Sequence, residues 1–374
     1  MNCDYAFDFE KIYKNINIII NFNKIEKIGN EKSGEEIDCK GKIVIPGLVN
    51  AHTHLYSFSI AKYYKDIYND FEIFNSSDEM IEMVILEMLS NGITTFIDMG
   101  TDPNIIKKLA EIYKIRAYAG YFINQNNIIT ESEFFKQIVN SYLPTDADLL
   151  SSLNINKPLH IKLPFTRKQI YEFKRKYGVM PIEFLNKNNL LNKNIYISNL
   201  SWITNWEIEI LKQKRPLTII TPSFDLKNAI GGFPPIREIL EGTNNTLAIG
   251  TDGIFGNEAN NLIEEGKLAL LFYRSLYWDL DLSYTDIFKM LTYNAYKALG
   301  INAGVLREGY VADLIVINKF INFSTNNVNM VIRNLFTYFN IKDIEIVIVN
   351  GNLSYIRERD YEKIREKREK LSYW

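Results

Sequence analysis

The chain has 374 residues, 47% of them hydrophobic, and its 43 basic residues nearly balance 45 acidic ones to give a net charge of −2. This composition supports a globular protein with a sizeable core, and it excludes the strong charge bias typical of proteins that bind nucleic acid or membrane surfaces. With only Cys3 and Cys39 as cysteines, no apolar run of about 20 residues and no signal-peptide pattern at its start, the sequence predicts a cytoplasmic protein.

Both ends of the chain contain short runs rich in β-branched residues. Residues 16–20 and 24–29 are separated by Asn and Lys and predict a hairpin. Near the other end, residues 312–317 and 344–351 predict two more strands. Because a long α/β segment lies between the two pairs, we expect the chain ends to meet in one small β domain.

The middle of the chain alternates strand-like and helix-like runs, which is the pattern of a parallel α/β barrel. The predicted strands are 43–54, 93–98, 116–121, 137–143, 158–163, 195–200, 217–221 and 246–252, and the clearest helices are 77–91, 258–275 and 285–299. The charged tail at 361–371 lacks a wide apolar face and predicts a solvated helix.

The predicted fold class is therefore α/β, with a (β/α)8 TIM-like barrel and a small β-sandwich domain formed by both chain ends. We expect residues 1–45 to form the first part of the sandwich, 46–305 the barrel, 306–355 the second part of the sandwich and 356–374 a C-terminal helix.

His52 and His54 close the first predicted barrel strand. Alternate side chains of a strand share a face, so the two imidazoles can bind one ion, and imidazole suits zinc, iron or nickel. The alternative is that both histidines are hydrogen-bonded residues of the barrel core. Active sites of such barrels lie at the carboxyl ends of the strands, where these histidines fall.

The flanking residues at 46–54, Pro-Gly-Leu-Val-Asn-Ala-His-Thr-His, resemble the first-strand signature of the amidohydrolase superfamily. Residues 201–204, 222–227 and 250–253 resemble its deaminase and chlorohydrolase branch, so that the resemblance covers nearly the whole chain. It implies a metal-dependent hydrolase that attacks an aminated or halogenated heterocyclic carbon with metal-activated water. It also implies that Asp252 is a metal ligand and the catalytic residue that accepts and returns a proton.

The sequence departs from this pattern at three positions. Lys162 stands where the branch has a histidine ligand, Phe165 where it has a proton-transferring glutamate, and Asn199 where it has a histidine after strand six. We expect all three to line the substrate site. The chain has only 3 histidines, and the third, His160, lies about 6.6 Å deeper than Lys162 along the same strand. We interpret His160 as a packed, hydrogen-bonded interior residue.

Two interpretations of the site follow. In the first, His52, His54 and Asp252 weakly hold one divalent ion, with zinc favoured over iron or manganese, and Lys162 is neutral or carbamylated. In the second, Lys162 is a cation that pairs with Asp252 and replaces the ion.

Each interpretation predicts a function. The first predicts a hydrolase of non-peptide C–N or C–halogen bonds in a small, heterocyclic substrate. The second predicts a catalytically impaired barrel that serves as a small-ligand binding or regulatory protein. Both require a small molecule as partner, without nucleic acid or membrane, and both leave a homo-oligomer open.

Other carboxylates near the predicted strand ends are candidates to replace the missing glutamate. Asp98 and Asp102 follow strand two and Asp146 follows strand four, and we interpret each as a turn or cap residue. The loop at 55–71 is expected to cover the barrel mouth.

Overall fold

The computed structural model describes residues 1–58, 77–125, 127–151, 157–192, 194–243, 246–319 and 325–371. The loop predicted to cover the barrel mouth lies outside the described residues from position 59 onward. The strands are β1 Asn2–Phe7, β2 Ile12–Asn21, β3 Lys24–Gly29, β4 Asp38–Pro46, β5 Leu48–Thr53, β6 Ile93–Asp98, β7 Arg116–Ala119, β8 Phe135–Gln137, β9 Val139–Tyr142, β10 Leu159–Lys162, β11 Ile195–Ser198, β12 Leu217–Ile220, β13 Leu247–Ile249, β14 Leu314–Asn318, β15 Ile344–Val349 and β16 Asn352–Ile356. The helices are α1 Asp78–Ser90, α2 Pro103–Tyr113, α3 Leu143–Leu150, α4 Arg167–Tyr177, α5 Pro181–Lys187, α6 Asn205–Lys214, α7 Pro222–Lys227, α8 Ile236–Thr243, α9 Leu262–Tyr277, α10 Tyr284–Leu291, α11 Tyr293–Ala298, α12 Val328–Tyr338 and α13 Arg357–Leu371.

The two chain ends form one seven-stranded sheet in the order β16-β15-β14-β4-β1-β2-β3. Strand β14 joins the halves by pairing antiparallel with β4, so that Ile315 lies opposite Ile45. The sheet curls until the β2–β3 turn meets the β15–β16 turn, where Asn23 Nδ2 donates to Asn350 Oδ1 at 3.2 Å. This arrangement confirms the small domain predicted from the two ends of the chain.

The barrel consists of two parallel arcs, β5-β6-β7-β8 and β13-β12-β11-β10-β9. On one side the arcs are continuous through Ile138, so that β8 and β9 together form the fourth barrel strand. Gly120 permits this arrangement, because a Cβ on it would lie 1.6 Å from the carbonyl oxygen of Ile138. On the other side, the backbone N–H groups of Thr251 and Asp252 donate to the carbonyl of His52 at 2.9 and 3.0 Å. The predicted α/β barrel is thus confirmed.

A buried ion pair connects the barrel to the terminal sheet. Arg116 of β7 donates to Asp313, which also accepts a hydrogen bond from the hydroxyl of Tyr296 at 2.7 Å. Asp313 further accepts from the backbone N–H of Asn350 at 2.7 Å. Removing one partner of a buried ion pair strongly destabilises a protein, because the other charge is left uncompensated. The network therefore holds the barrel and the terminal sheet in one relative orientation.

Two sequence predictions need correction. The single helix predicted at 285–299 is divided into α10 and α11, because Thr292 leaves helical geometry with φ −130° and ψ −94° and its hydroxyl donates to the Phe288 carbonyl at 2.7 Å. The tail does form helix α13, but it is not merely solvated. Its Lys367 lies 2.6 Å from Glu82 of α1, and Arg368 pairs with Glu87.

None of the described helices is both long enough and apolar enough to cross a membrane.

Candidate active site

Strands β5 and β13 bring two histidines and one aspartate together at the carboxyl end of the barrel. His52 Nε2 lies 3.0 Å from Asp252 Oδ1, and His54 Nε2 lies 2.9 Å from the same oxygen. Among the described residues, these three form a buried group whose ligand atoms lie within 4.8 Å of one another, as a metal site requires. The structure therefore brings together all three residues predicted as metal ligands.

The backbone around Asp252 is shaped to place its carboxylate beside the histidines. Asp252 adopts the left-handed conformation with φ 58°, which Asp tolerates better than most residues. The preceding Gly250 lets the chain approach His52, since a Cβ there would lie 2.5 Å from the His52 nitrogen. Strained backbone of this kind is concentrated at functional sites.

Lys162 ends β10 and extends its amine into the same group. Its Nζ atom lies 2.9 and 3.2 Å from the two carboxylate oxygens of Asp252 and 3.1 Å from Nε2 of His54. Burial would raise the pKa of Asp252, but the Lys162 ammonium and His54 hold that pKa well below its usual range. Asp252 is consequently an anion, and Lys162 supplies the compensating positive charge.

The contacts of His54 place a proton on Nδ1. This atom lies 2.6 Å from the carbonyl oxygen of Met99, which can only accept. Nε2 lies 2.9 Å from Oδ1 of Asp252 and 3.1 Å from Nζ of Lys162. Nε2 is the atom with which His54 would bind a metal ion, and Lys162 contacts it.

His160 lies beneath the site and hydrogen-bonds to His52. Its Nε2 is 3.0 Å from Nδ1 of His52, and both residues are fully buried. Burial lowers the pKa of His52 to about 4, although Asp252 opposes the shift, and burial with the neighbouring His52 lowers that of His160 well below its usual value. Both rings are therefore neutral. His160 is the packed, hydrogen-bonded residue that its position on β10 predicts, and it can select the tautomer of His52.

Aromatic rings surround the Lys162 amine where the resemblance leads one to expect a proton-transferring acid. The ring centroids of Phe165 and Phe224 lie 5.5 and 4.8 Å from Lys162 Nζ, within the range of cation–π attraction. The two rings meet edge to face at 5.2 Å. Phe165 thus lies beside the predicted site residue Lys162 and offers it an apolar wall with no proton to transfer.

Asn199 lies at the end of β11 in a left-handed conformation with φ 65°. It is 1% exposed, and its Nδ2 faces Thr221 Oγ1 at 3.4 Å, while its Oδ1 has no hydrogen-bond partner among the described residues. An amide oxygen of this kind can accept a hydrogen bond from a ligand.

The three further carboxylates have structural partners. Asp98 accepts from the N–H groups of Leu55 and Thr101, Asp102 accepts from the N–H of Asn104 at the start of α2, and Asp146 accepts from Ser141 and Tyr142. These contacts agree with the interpretation of all three as turn or cap residues.

Sequence reasoning gave no role to Phe224, Asp225 or Ser201, which the fold places next to this site. They belong to segments after strands six and seven that were recognised only through the family resemblance. Asp225 is 4% exposed, and its burial raises its pKa to about 8. The burial of Asp225 could not be predicted from its residue type, because it arises only when α7 packs against the barrel.

The barrel, with its group of two histidines and an aspartate at the carboxyl ends of the strands, is the architecture of a barrel hydrolase, and comparison with known proteins agrees. The chain matches the sequence profile of the Amidohydrolase family over residues 43–151 and 154–353. This chain therefore belongs to the amidohydrolase family, a family of hydrolases.

Two relatives are similar over almost their whole length. The 5-methylthioadenosine/S-adenosylhomocysteine deaminase of Thermococcus sibiricus is 30% identical, with 92% of this chain and 91% of the relative covered. The 5'-deoxyadenosine deaminase of Methanocaldococcus jannaschii is also 30% identical, with 96% of each covered.

Solved structures show the same fold. An adenosine deaminase from Xanthomonas campestris with bound zinc superposes with a TM-score of 0.83 at 16% identity, covering 100% of this chain and 98% of that one. The E241Q mutant of the atrazine chlorohydrolase TrzN from Arthrobacter aurescens, complexed with zinc and atraton, has a TM-score of 0.80 at 20% identity, with 99% and 98% covered.

Proposed function

We propose that this chain is a hydrolase that removes the amino group from an adenosine-like nucleoside or a related aminated heterocycle, using one divalent ion held at the barrel mouth. The observation that carries the proposal is the convergence of His52, His54 and Asp252 at the carboxyl end of the barrel. The names of the two relatives, which are deaminases of adenosine derivatives, support this substrate class.

The donor set fits one ion, with a reduced number of ligands. A neutral His54 protonated at Nδ1 can offer Nε2 to an ion, and His52 can do the same when its Nδ1 donates to His160. Two imidazoles and a carboxylate suit zinc best, with iron or manganese as alternatives. Such an ion, when bound, supplies a Lewis acid that activates water. We propose that these three residues would hold it.

Lys162 competes with the ion for the same atoms. Its amine donates to both oxygens of Asp252 and lies 3.1 Å from Nε2 of His54, so an ion must displace it or accept it as a neutral ligand. We therefore expect the ion to be weakly held. In the reaction Asp252 would hold and return a proton, whereas Phe165 can only exclude water and contact the substrate ring. Without a general acid at that position, turnover should be about 10²–10⁴ times slower than with one.

The contacts of Lys162 favour a second candidate. If its ammonium stays in place, Asp252 is neutralised and the barrel binds the same class of ligand without hydrolysing it. Such a protein would have a binding or regulatory role. The specific observation in its favour is that Lys162 Nζ satisfies three acceptor atoms of the donor set at 2.9 to 3.2 Å.

Ammonia release from a panel of nucleosides tests the proposal. The panel contains adenosine, 5'-deoxyadenosine, 5-methylthioadenosine and S-adenosylhomocysteine, each assayed with zinc, manganese or ferrous iron. Slow release that disappears in Asp252→Asn supports the hydrolase. Binding of a nucleoside without release supports the second candidate, and neither binding nor release contradicts both.

A further inference from the structure

Three buried polar atoms lie together beside the site and have no hydrogen-bond partner among the described residues. They are Oδ1 of Asn199, Oγ of Ser201 and Oδ1 of Asp225. The three residues are only 1%, 6% and 4% exposed. More than nine in ten buried polar groups in native proteins are paired, so a cluster of three unpaired ones requires an explanation.

Short connections hold these residues in one group at the ends of β11 and β12. Asn199 Nδ2 faces the hydroxyl of Thr221, and the backbone N–H of Asp225 donates to the Thr221 carbonyl at 3.1 Å. Ser201 lies close enough to the Asp225 carboxyl to oppose partly the effect of burial on its pKa. The group is therefore compact and belongs to two neighbouring barrel strands.

The group borders the apolar wall of the active site. Phe224 precedes Asp225 in α7, and its ring lies 4.8 Å from Lys162 Nζ and 5.2 Å from the ring of Phe165. A planar ligand that contacts these aromatic rings would bring its edge toward polar atoms at the ends of β11 and β12. Aromatic walls combined with a few buried polar groups are typical of small-molecule sites.

The charges around Asp225 favour a neutral carboxyl. Burial is the largest cause and raises the pKa of Asp225, and the negative charges of Asp252 and Glu265 raise it further. Ser201 and Lys162 lower this pKa only in part, so that it rises to about 8. Near pH 7 Asp225 is then mostly a carboxylic acid, which has an O–H that can donate to a ligand.

We propose that Asp225, Ser201 and Asn199 form the recognition site for the edge of an aminated heteroaromatic ring. The protonated Asp225 carboxyl donates to a ring nitrogen, Asn199 Oδ1 accepts from the exocyclic amine, and Ser201 supports the Asp225 carboxyl. This inference rests on the proposed function, because it specifies how the ligand of that same site is recognised. It applies equally to the hydrolase and to the binding protein.

Calorimetric titration with adenosine at pH 6.5 and pH 9, with ammonia assayed after each run to account for turnover, tests the proposal. Wild type should bind about tenfold more weakly at pH 9, because ionised Asp225 cannot donate. Asp225→Asn keeps an amide donor at every pH, so its binding should be independent of pH. Asp225→Leu should bind about tenfold more weakly or worse at pH 6.5. Purine riboside, which lacks the amine, should bind wild type more weakly than adenosine.

Glu207→Gln is the matched control. Glu207 is also a buried carboxyl whose pKa is raised by burial, but it accepts hydrogen bonds from the backbone N–H groups of Ile182 and Thr204, and it is not among the groups that shift the pKa of Asp225. Its replacement should leave the pH dependence of adenosine binding unchanged. Thermal melting shows whether each variant is folded.

Two outcomes would overturn the role of Asp225 alone: tight binding of adenosine by folded Asp225→Leu, or the same pH dependence in wild type and Asp225→Asn. A wild type that binds none of the probes overturns the proposed ligand class and this recognition site with it. The two kinds of failure are therefore distinguishable.

Discussion

The amine of Lys162 lies 2.9 Å from Oδ1 of Asp252 and 3.1 Å from Nε2 of His54. These are the atoms that would bind a metal ion, so the Lys162 ammonium and a metal ion would occupy the same position. Which of the two occupies it decides between a hydrolase and a binding protein. The positive charge is required in either case, because Asp252 is fully buried.

Replacing Lys162 with Met should therefore destabilise the protein in EDTA by about 3–5 kcal/mol, since Asp252 is left as an unpaired buried charge. Zinc should restore much of this loss by supplying the missing charge. Urea unfolding with EDTA or zinc measures both effects. Lys42→Met, which removes the partner of Glu345 at a partly exposed pair, should cost only about 0–1 kcal/mol. If Lys162→Met is as stable as wild type in EDTA, the charge argument is wrong.

Introducing the histidine and the glutamate that the related enzymes are expected to have at positions 162 and 165 should increase deaminase activity. Lys162→His adds a third imidazole and should increase the affinity for zinc, which chelator competition measures. Adding Phe165→Glu supplies a proton-transferring acid and should raise ammonia release by about 10²-fold or more over Lys162→His alone. Steady-state assays on the nucleoside panel compare the two variants. Equal rates would show that Phe165 is not at the proton-transfer position.

His160 should matter for both stability and metal affinity. His160→Leu leaves Nδ1 of His52 without its partner, which should cost about 1–3 kcal/mol in unfolding free energy. Zinc affinity should fall about 10–100-fold, because the orientation of His52 is no longer fixed. Chelator competition and urea unfolding measure these changes. Tyr196→Phe alters a neighbouring ring but keeps the imidazole pair, and a loss of equal size there would argue against a specific role for His160.

Asp225 should make stability depend on pH. Its folded-state pKa of about 8 exceeds the ordinary 3.8, so the folded state binds more protons than the unfolded state between these values. Wild-type stability should thus decline from about pH 4 to pH 8 through this group. Asp225→Asn lacks the effect, and its stability relative to wild type should rise by up to a few kcal/mol over that range and then level off. A constant difference between the two proteins would contradict the raised pKa.

The structure brings together the three residues that the sequence indicated for a metal site, and part of that signal is local. The spacing of His52 and His54 places both on one strand face, and Asp252 follows an apolar strand at the eighth position. The roles expected of Asp252 and Lys162 came from the resemblance to the amidohydrolase superfamily, whose branch has a metal-site aspartate and a histidine ligand at these positions. Strand periodicity by itself accounts only for the shared face of the two histidines.

Features that depend on long-range packing were missed. The burial of Asp225 arises only when α7 packs on the barrel, so a sequence pattern cannot reveal its raised pKa. Strand β16 was overlooked, although Asn350 and Gly351, with φ 51° and 78°, form the tight turn that leads into it. The ion pairs between α13 and α1 join residues almost 300 positions apart.

Metal content measured by mass spectrometry tests the central claim most directly. Wild type, incubated with zinc, manganese or ferrous iron and then desalted, should retain about one ion per chain, and His54→Ala and Asp252→Asn should lose it. Failure of wild type to retain any of the three ions would contradict the metal-dependent hydrolase. Lys162 would then be the permanent cation of the site.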